Sequence, residues 1–448
     1  MIQPLSPGEL EKGRKNFMLF ILVNNYAYFA LSGNIITLLA LRIQAGNLIV
    51  GLLSSFIFIS YLFLIPGREL IKTAGTVRLL YRYYLARNLL MIPVVLVPFL
   101  SGRTALFIPV LVLTVFTFAF NTARGIHLTS DNPLMAELGG QNEQGSFLSR
   151  TLVGAYIISM ASGVVVYFLL GGAAPLYMYA VIIGSGAAAG IIASRFLLRI
   201  PEPRSSTPQE SGRLMASFLT AVKKRNLRNY FIILFLCFFS VSMIAPFIVV
   251  YFKQVFHALD SQIMLFTIAG NIGSLLMALL AGFSIDKLGA KPLYFAFAVI
   301  TLATLVPPIA GFGVSGSAGL VITGCVLFFF QMMGTAGTYN AGRTYLLSAL
   351  QHKEQLNFGV IYFFVIGVAG ALGSFLGGLL LEVFLYSGLS LVNSFRLFFA
   401  IIALLYVVIL VFLARLDATK PYSIRSALMF ILSPRDLRAL SLLKRLDV

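Results

Sequence analysis

Charge is what this 448-residue chain has least of. Charged residues make up 11% of it and hydrophobic ones 59%, with a mean hydropathy of +0.93; soluble globular chains carry about 25% charge. A water-soluble domain is excluded. Tryptophan is absent, which leaves tyrosine to form any interfacial aromatic belt; Tyr81, Tyr83 and Tyr84, at one helix mouth, fit that role. The two cysteines, Cys237 and Cys325, both lie inside apolar runs, so neither a disulfide framework nor a CxxC metal site is supported. No residue set calls for a cofactor or a metal. Acids are outnumbered, 15 against 33 Lys and Arg, for a formal charge of +18. In a soluble protein that excess would point to nucleic acid. Here it has a different cause, the retention of Lys and Arg in loops on one side of a membrane, and no nucleic-acid partner is expected.

What the chain does have is length of apolar run. Twelve stretches between residues 17 and 414 are long enough to cross a bilayer as helices. The first, roughly 17–41, is too long for a signal-peptide core and reads as a membrane helix behind a short polar segment, 1–16. The longest polar interruption, 199–228, contains Pro201, Pro203 and Pro208 and divides the runs into six and six, 17–198 and 229–414. Within it Leu214, Met215, Phe218, Leu219 and Val222 form one apolar face at helical spacing ahead of a cluster of cations, the pattern of a helix lying on a membrane surface. The tail, 415–448, repeats the theme with Leu437, Leu440, Leu443 and Leu446 against Arg438, Lys444 and Arg445, which fits anionic lipid. With both termini placed on one side, that side holds 29 of the 33 basic residues; only Arg42, Arg103, Lys253 and Arg396 fall on the other. The asymmetry predicts both termini in the cytoplasm. The fold class is therefore all-α and polytopic, with twelve transmembrane helices in two six-helix bundles.

Two local patterns add detail. Residues 282–291 read G-F-S-I-D-K-L-G-A-K between the eighth and ninth runs; Gly289 supplies the positive φ that a tight loop needs, and Asp286 requires a partner near the membrane. The halves also echo one another. The fourth run ends N-T-A-R (Asn121 to Arg124) and the tenth N-A-G-R (Asn340 to Arg343), followed by E-Q-G-S-F from Glu143 and E-Q-L-N-F from Glu354. The pattern G-x-x-x-D-[RK]-x-G-x-[RK], carried by Gly282, Asp286, Lys287, Gly289 and Lys291, resembles the signature loop of the major facilitator superfamily. The corresponding first-half loop, R-E-L-I-K-T-A-G, keeps Gly75 but has Lys72 where the acid would stand.

The resemblance implies two parallel six-helix repeats and a solute carrier working by alternating access. It also implies a central cavity lined by helices 1, 4, 7 and 10, flanked by 2, 5, 8 and 11. Polar residues recur on the expected inner helices: Asn25, Tyr28 and Ser32 on the first, Thr117 and Asn121 on the fourth, Asn271 on the eighth, Gln331 and Thr335 on the tenth. Polar groups in hydrocarbon must face protein or water, so these eight are the candidate cavity lining. Asp286, Arg343, Glu354, Arg124 and Glu143 are the candidate gating charges, with Arg124 expected to pair with Glu69 or Glu143. Arg87 is expected to snorkel to the interface, and Glu382 to meet Arg396. The glycines of the eleventh run, Gly367, Gly370, Gly373, Gly377 and Gly378, permit close helix approach.

No acid falls in the middle of a run, which favours a facilitator or exchanger over a proton-driven carrier. The expected partner is a small-molecule solute handled by a monomer in a bacterial inner (plasma) membrane rich in anionic lipid. A lipid flippase or drug exporter on the same fold is the alternative. A membrane-embedded enzyme is the remote one, with His127 and Asp131 as its only hint.

Overall fold

The computed structural model describes residues 6–172, 174–202, 222–311, 316–350 and 355–417. No strand occurs among them; apart from short turns the backbone is helical. α1 (Pro7–Leu31) and α2 (Asn34–Arg42) together make the first span, with Ser32 and Gly33 between them. α1 opens on a capping box, in which Ser6 Oγ accepts from the Glu9 amide and Glu9 accepts from the Ser6 amide, so two otherwise orphaned donors are satisfied. α3 (Asn47–Ile59) and α4 (Leu64–Ala74) form the second span, and α5 (Thr76–Leu89) and α6 (Val97–Leu100) the third. Tight 3-10 turns at Ser60–Phe63 and Ile92–Leu96 join these pieces. The second contains Pro93 and runs into Pro98, residues that cannot donate to the preceding turn.

α7 (Phe107–Leu169) is helical over 63 residues. Straight, it would measure about 95 Å, three times a bilayer core. Its contacts with α1 show instead that it goes down and returns. Arg124 lies over the Tyr28 ring, and Leu138 meets Gly13. Phe147 then packs on Phe17, Gly154 on Leu22 and Gly163 on Phe29. Arg14 stabilises the reversal, donating from Nε to the Leu138 carbonyl at 2.6 Å and from Nη2 to the Gly139 carbonyl at 2.9 Å. α7 therefore supplies the fourth and fifth spans. This reconciles twelve expected crossings with eleven helices that are long and apolar enough by themselves, because the returning arm, Val153–Leu169, is a shorter apolar helix.

α8 (Tyr177–Leu197) completes the first half. The second follows with α9 (Arg225–Val255), α10 (Asp260–Leu288), α11 (Ala290–Ala303), α12 (Val306–Ala310), α13 (Gly316–Ala349), α14 (Gln355–Tyr386) and α15 (Leu391–Ala414). The repeat is visible in the backbone. Gly75, between α4 and α5, has φ 83° and ψ 162°, and Gly289, between α10 and α11, has φ 86° and ψ 161°. Both lie outside the space of ordinary side chains, so each glycine makes the same sharp turn in its half. Large apolar side chains such as Phe107, Phe168, Ile322 and Leu404 stand exposed, as a surface facing lipid requires. The surface helix expected within 199–228 and the amphipathic tail 415–448 lie mostly outside the described residues, as does Glu354.

The halves meet along two seams, α3 against α14 and α10 against α7. Gly51 packs on the Ser374 carbonyl and the Gly378 backbone, and Gly367 and Gly370 take Phe58 and Tyr61. Gly373 and Gly377 turn the other way, onto Phe239, Ser242 and Phe247 of α9. The glycine-rich α14 thus packs closely on both sides at once.

Candidate functional site

The first span breaks at Ser32 and Gly33, well inside the apolar stretch. Gly33 has φ 57° and is exposed there, which glycine alone tolerates easily. Its carbonyl accepts from the Thr37 amide at 3.2 Å and the Thr37 hydroxyl at 3.3 Å. No side chain caps α2, so the first amides of this half-helix face the break. A narrow recess opens at this point, lined by Ser32, Gly33, Thr37, Ile57, Thr117 and Asn121 among others.

Four of the eight expected cavity residues gather around it. Ser32, Thr117 and Asn121 line it, and Tyr28 lies one turn below, accepting from Ser32 Oγ at 2.6 Å through its carbonyl. Thr117 and Asn121 are 3% and 2% exposed. Asn121 Nδ2 donates to the Thr117 carbonyl, yet Asn121 Oδ1 and Thr117 Oγ1 have no hydrogen-bond partner. The other four sit elsewhere. Asn25 is turned onto its own helix, donating to the Ile21 carbonyl. Asn271 bridges the seam to Ser159 at 3.1 Å. Gln331 and Thr335 bond one another along α13, with Gln331 Oε1 buried and unpartnered.

Arg124 stands one turn beyond Asn121 and borders the recess through Ile57, whose carbonyl it reaches at 3.4 Å. Its Nη1 donates to Ser60 Oγ at 2.6 Å, and its guanidinium lies 5.2 Å from the Tyr28 ring centre and 5.7 Å from that of Tyr61. Sequence reasoning gave it the carboxylates Glu69 or Glu143, of which the Glu143 side chain lies outside the described residues; its described contacts are a hydroxyl and two aromatic faces.

Arg87 corrects a second expectation. It does not snorkel, being 2% exposed and the largest fully buried side chain described. It bonds His127 Nε2 at 2.8 Å and donates to Asn24 Oδ1 at 2.5 Å, with its guanidinium 4.4 Å from the Tyr84 ring centre and 5.3 Å from that of Phe120. His127 stays an acceptor there only if its proton sits on Nδ1. Tyr84 is buried with it against Phe20 rather than lying in an interfacial belt. Asp131 lies in the field of both Arg87 and Arg124, inside the span Phe107–Gly139. Asp131 lies beyond the fourth apolar run yet within the last turns of this longer span, because the fourth helix continues past that run.

Sequence reasoning missed the end of the molecule where the halves are locked together. Asp260, at the start of α10, is 2.7 Å from Arg42 Nε and 2.6 Å from Lys253 Nζ, and accepts from the Tyr179 hydroxyl at 2.9 Å. Arg42 also donates to the Ala174 carbonyl. Nearby, Glu382 of α14 accepts from the Asn47 amide at 2.7 Å, capping α3 from the opposite half rather than meeting Arg396. Asn47 Oδ1 accepts from Gln254. The available signal was that Arg42 and Lys253, two of only four basic residues assigned to that side, stand near Asp260 and Glu382.

At the other end, the signature-loop residue Lys291 donates to the Ala414 and Leu416 carbonyls, closing the C-terminus of α15. In the first half Glu202 caps the start of α5, accepting from the Val77 amide at 3.0 Å and the Arg78 amide at 3.3 Å. Arg343 is exposed. The side chains of Glu143, Asp286 and Lys287 are outside the described set.

These features define a class: a polytopic helical protein of two six-span repeats, with buried charge inside one repeat and an ionic lock between them. Residues 230–445 match the family model of the Major Facilitator Superfamily. Among solved structures, a mutant form of the nucleoside transporter NupG is 14% identical with TM-score 0.71, covering 90% of this chain and 100% of that one. A D-xylose-proton symporter is 16% identical with TM-score 0.67, covering 91% and 98%. A bacterial homolog of the human lysosomal transporter Spinster, inward-facing and unoccupied, is 12% identical with TM-score 0.66, covering 96% and 100%. No curated protein matches the chain. The fold is that of major facilitator superfamily transporters, and the resemblance seen in the signature loop is borne out at that level; the protein is an integral membrane protein.

Proposed function

We propose that the protein is a secondary transporter that carries a small water-soluble solute by alternating access, as a facilitator or exchanger. The observation that carries this reading is the ionic lock of Arg42, Asp260, Lys253 and Tyr179. It joins the two halves at one end while a recess with unpartnered polar groups lies between that lock and the basic end. A lock made of charges can open, because water takes over each group's hydrogen bonds when the halves part. The two halves, 17–198 and 229–414, are the moving bodies. Both termini are cytoplasmic on the 29-to-4 division of basic residues, so the closed end faces outward and solute reaches the recess from the cytoplasm.

The unpartnered Thr117 hydroxyl and Asn121 carbonyl oxygen at the recess support a solute over a lipid. Counterflow in proteoliposomes of a labelled solute found by thermal-shift screening tests the reading. Accumulation that survives a protonophore fits a facilitator or exchanger. Accumulation abolished by protonophore overturns that mode and makes Asp131 the coupling group to replace first. Reporter fusions after Arg415 and at Ser101 test orientation, with inside and outside expected respectively.

A further inference from the structure

The recess at the Gly33 break presents groups that want one kind of ligand. We infer that it binds a small organic anion, with a carboxylate or phosphate group held between the N-terminus of α2 and the Arg124 guanidinium. This deepens the transport reading and rests on it for the ligand's fate, though not for its binding.

Three independent features converge. First, α2 is nine residues long and begins inside the span with no side-chain cap. A helix N-terminus carries about half a positive charge and several free amides, and such ends bind anions readily. In discontinuous membrane helices the same geometry faces anionic substrate groups. Second, Thr117 and Asn121 line the recess at 3% and 2% exposure, with Thr117 Oγ1 and Asn121 Oδ1 unpartnered. Buried polar atoms normally have partners; these two have none within the protein, and a ligand in the recess supplies one. The Thr117 hydroxyl donates to an anionic oxygen. The Asn121 carbonyl oxygen, whose amide nitrogen is committed to Thr117, takes a hydroxyl or amine of the ligand. Third, the charge nearby is cationic. Arg124 borders the recess, Arg87 lies behind it, and the acid that offsets them, Asp131, is seven residues beyond Arg124 along α7. Among the described residues, Arg87 and Arg124 share the field of Asp131, a balance that favours an anion.

Arg124 lies beside Tyr28, and α2 begins six residues after Tyr28, across the Ser32–Gly33 break. A molecule with an acidic group and a neighbouring donor, a hydroxy acid or a phosphate ester, suits that pairing. The Tyr28 and Tyr61 rings that sandwich Arg124 hold its guanidinium in place, so little of its freedom is lost on binding.

The test is direct binding to purified full-length protein in nanodiscs, by calorimetry and thermal shift, with lactate, inorganic phosphate, glycerol and choline as probes. Lactate or phosphate, or both, should bind at millimolar concentration while glycerol and choline do not; which anion binds separates a carboxylate from a phosphate site. Arg124→Gln should abolish the response. Thr117→Val, which keeps shape and removes the donor, should weaken it by up to about tenfold and guards against misfolding of the arginine variant. Arg103→Gln, at an exposed loop, should bind as wild type. Equal stabilisation by choline or glycerol, binding unaffected by both Arg124→Gln and Thr117→Val, or no response to either anion would overturn the inference. Because no step requires transport, an anion that binds but shows no counterflow would count against the transport reading and leave this site standing.

Discussion

Arg42 and Asp260 belong to opposite halves of the molecule, and their side chains meet at 2.7 Å with the acid 2% exposed and the arginine 36% exposed. Lys253 completes the pair from the acid's own half. A carboxylate taken this far from water needs its cations, and removing one member of such a cluster leaves the rest with uncompensated charge. The lock is therefore an energetic bias on one conformation as well as a contact within it.

Asp260→Asn should release that bias. The amide still accepts from Tyr179 but no longer attracts Arg42 and Lys253, so the closed end should open in a larger share of molecules. About 1.4 kcal/mol is enough for a tenfold shift in the ratio of states. Spin labels at Ala105 and Leu259, both exposed at this end on opposite halves, would report a new long-distance population. An unchanged distance distribution would mean that helix packing alone closes this end.

Glu382 works through a single amide, that of Asn47. Glu382→Gln keeps an acceptor in place and loses only the charge favoured at a helix N-terminus, about 0.3–1 kcal/mol. Glu382→Ala loses the bond as well and should open the same end further. The two variants should rank in that order with the same pair of labels; equal effects would show that charge rather than the hydrogen bond matters.

Arg87 is predicted to be structural. Replacing it with Lys keeps the charge but cannot span His127 and Asn24 together, since the planar fork is lost. Hydrogen bonds to charged groups contribute about 1.5–3 kcal/mol each, so Arg87→Lys should lower the thermal midpoint by several degrees. Binding of an anion at the recess should change far less than it does in Arg124→Gln. A loss of binding with no loss of stability would move Arg87 into the site.

The fold was legible because lipid imposes length and apolarity on every crossing, and charge asymmetry orders the loops. Gly289 was legible for a similar reason, since its turn is local and demands positive φ. The partners of charged residues were not. Arg87 looked like an interfacial residue because its burial depends on His127, forty residues away, and on Asn24. Glu382 was matched to Arg396 and Asp260 to no partner, because Asn47 and Arg42, which they meet, come from the other half. The recess was half legible: Ser32, Thr117 and Asn121 were found from helical spacing, but the break at Gly33 that makes them a site cannot be read from an unbroken apolar run.

The last prediction joins the two ends. The signature-loop resemblance gives Asp286 a part in holding the basic end shut, together with Arg343 and Glu354, so Asp286→Asn should favour the state seen here, closed at the Arg42–Asp260 end. Asp260→Asn pushes the other way. If both residues act on one two-state equilibrium, their effects are opposite in sign, and for sites at opposite ends of the span they should add as free energies. The double variant should then show a distance distribution between Ala105 and Leu259 lying between those of the single variants, and turnover nearer to wild type than either. A double variant that behaves like Asp260→Asn alone would show that Asp286 has no share in the equilibrium and only turns the loop into the ninth span.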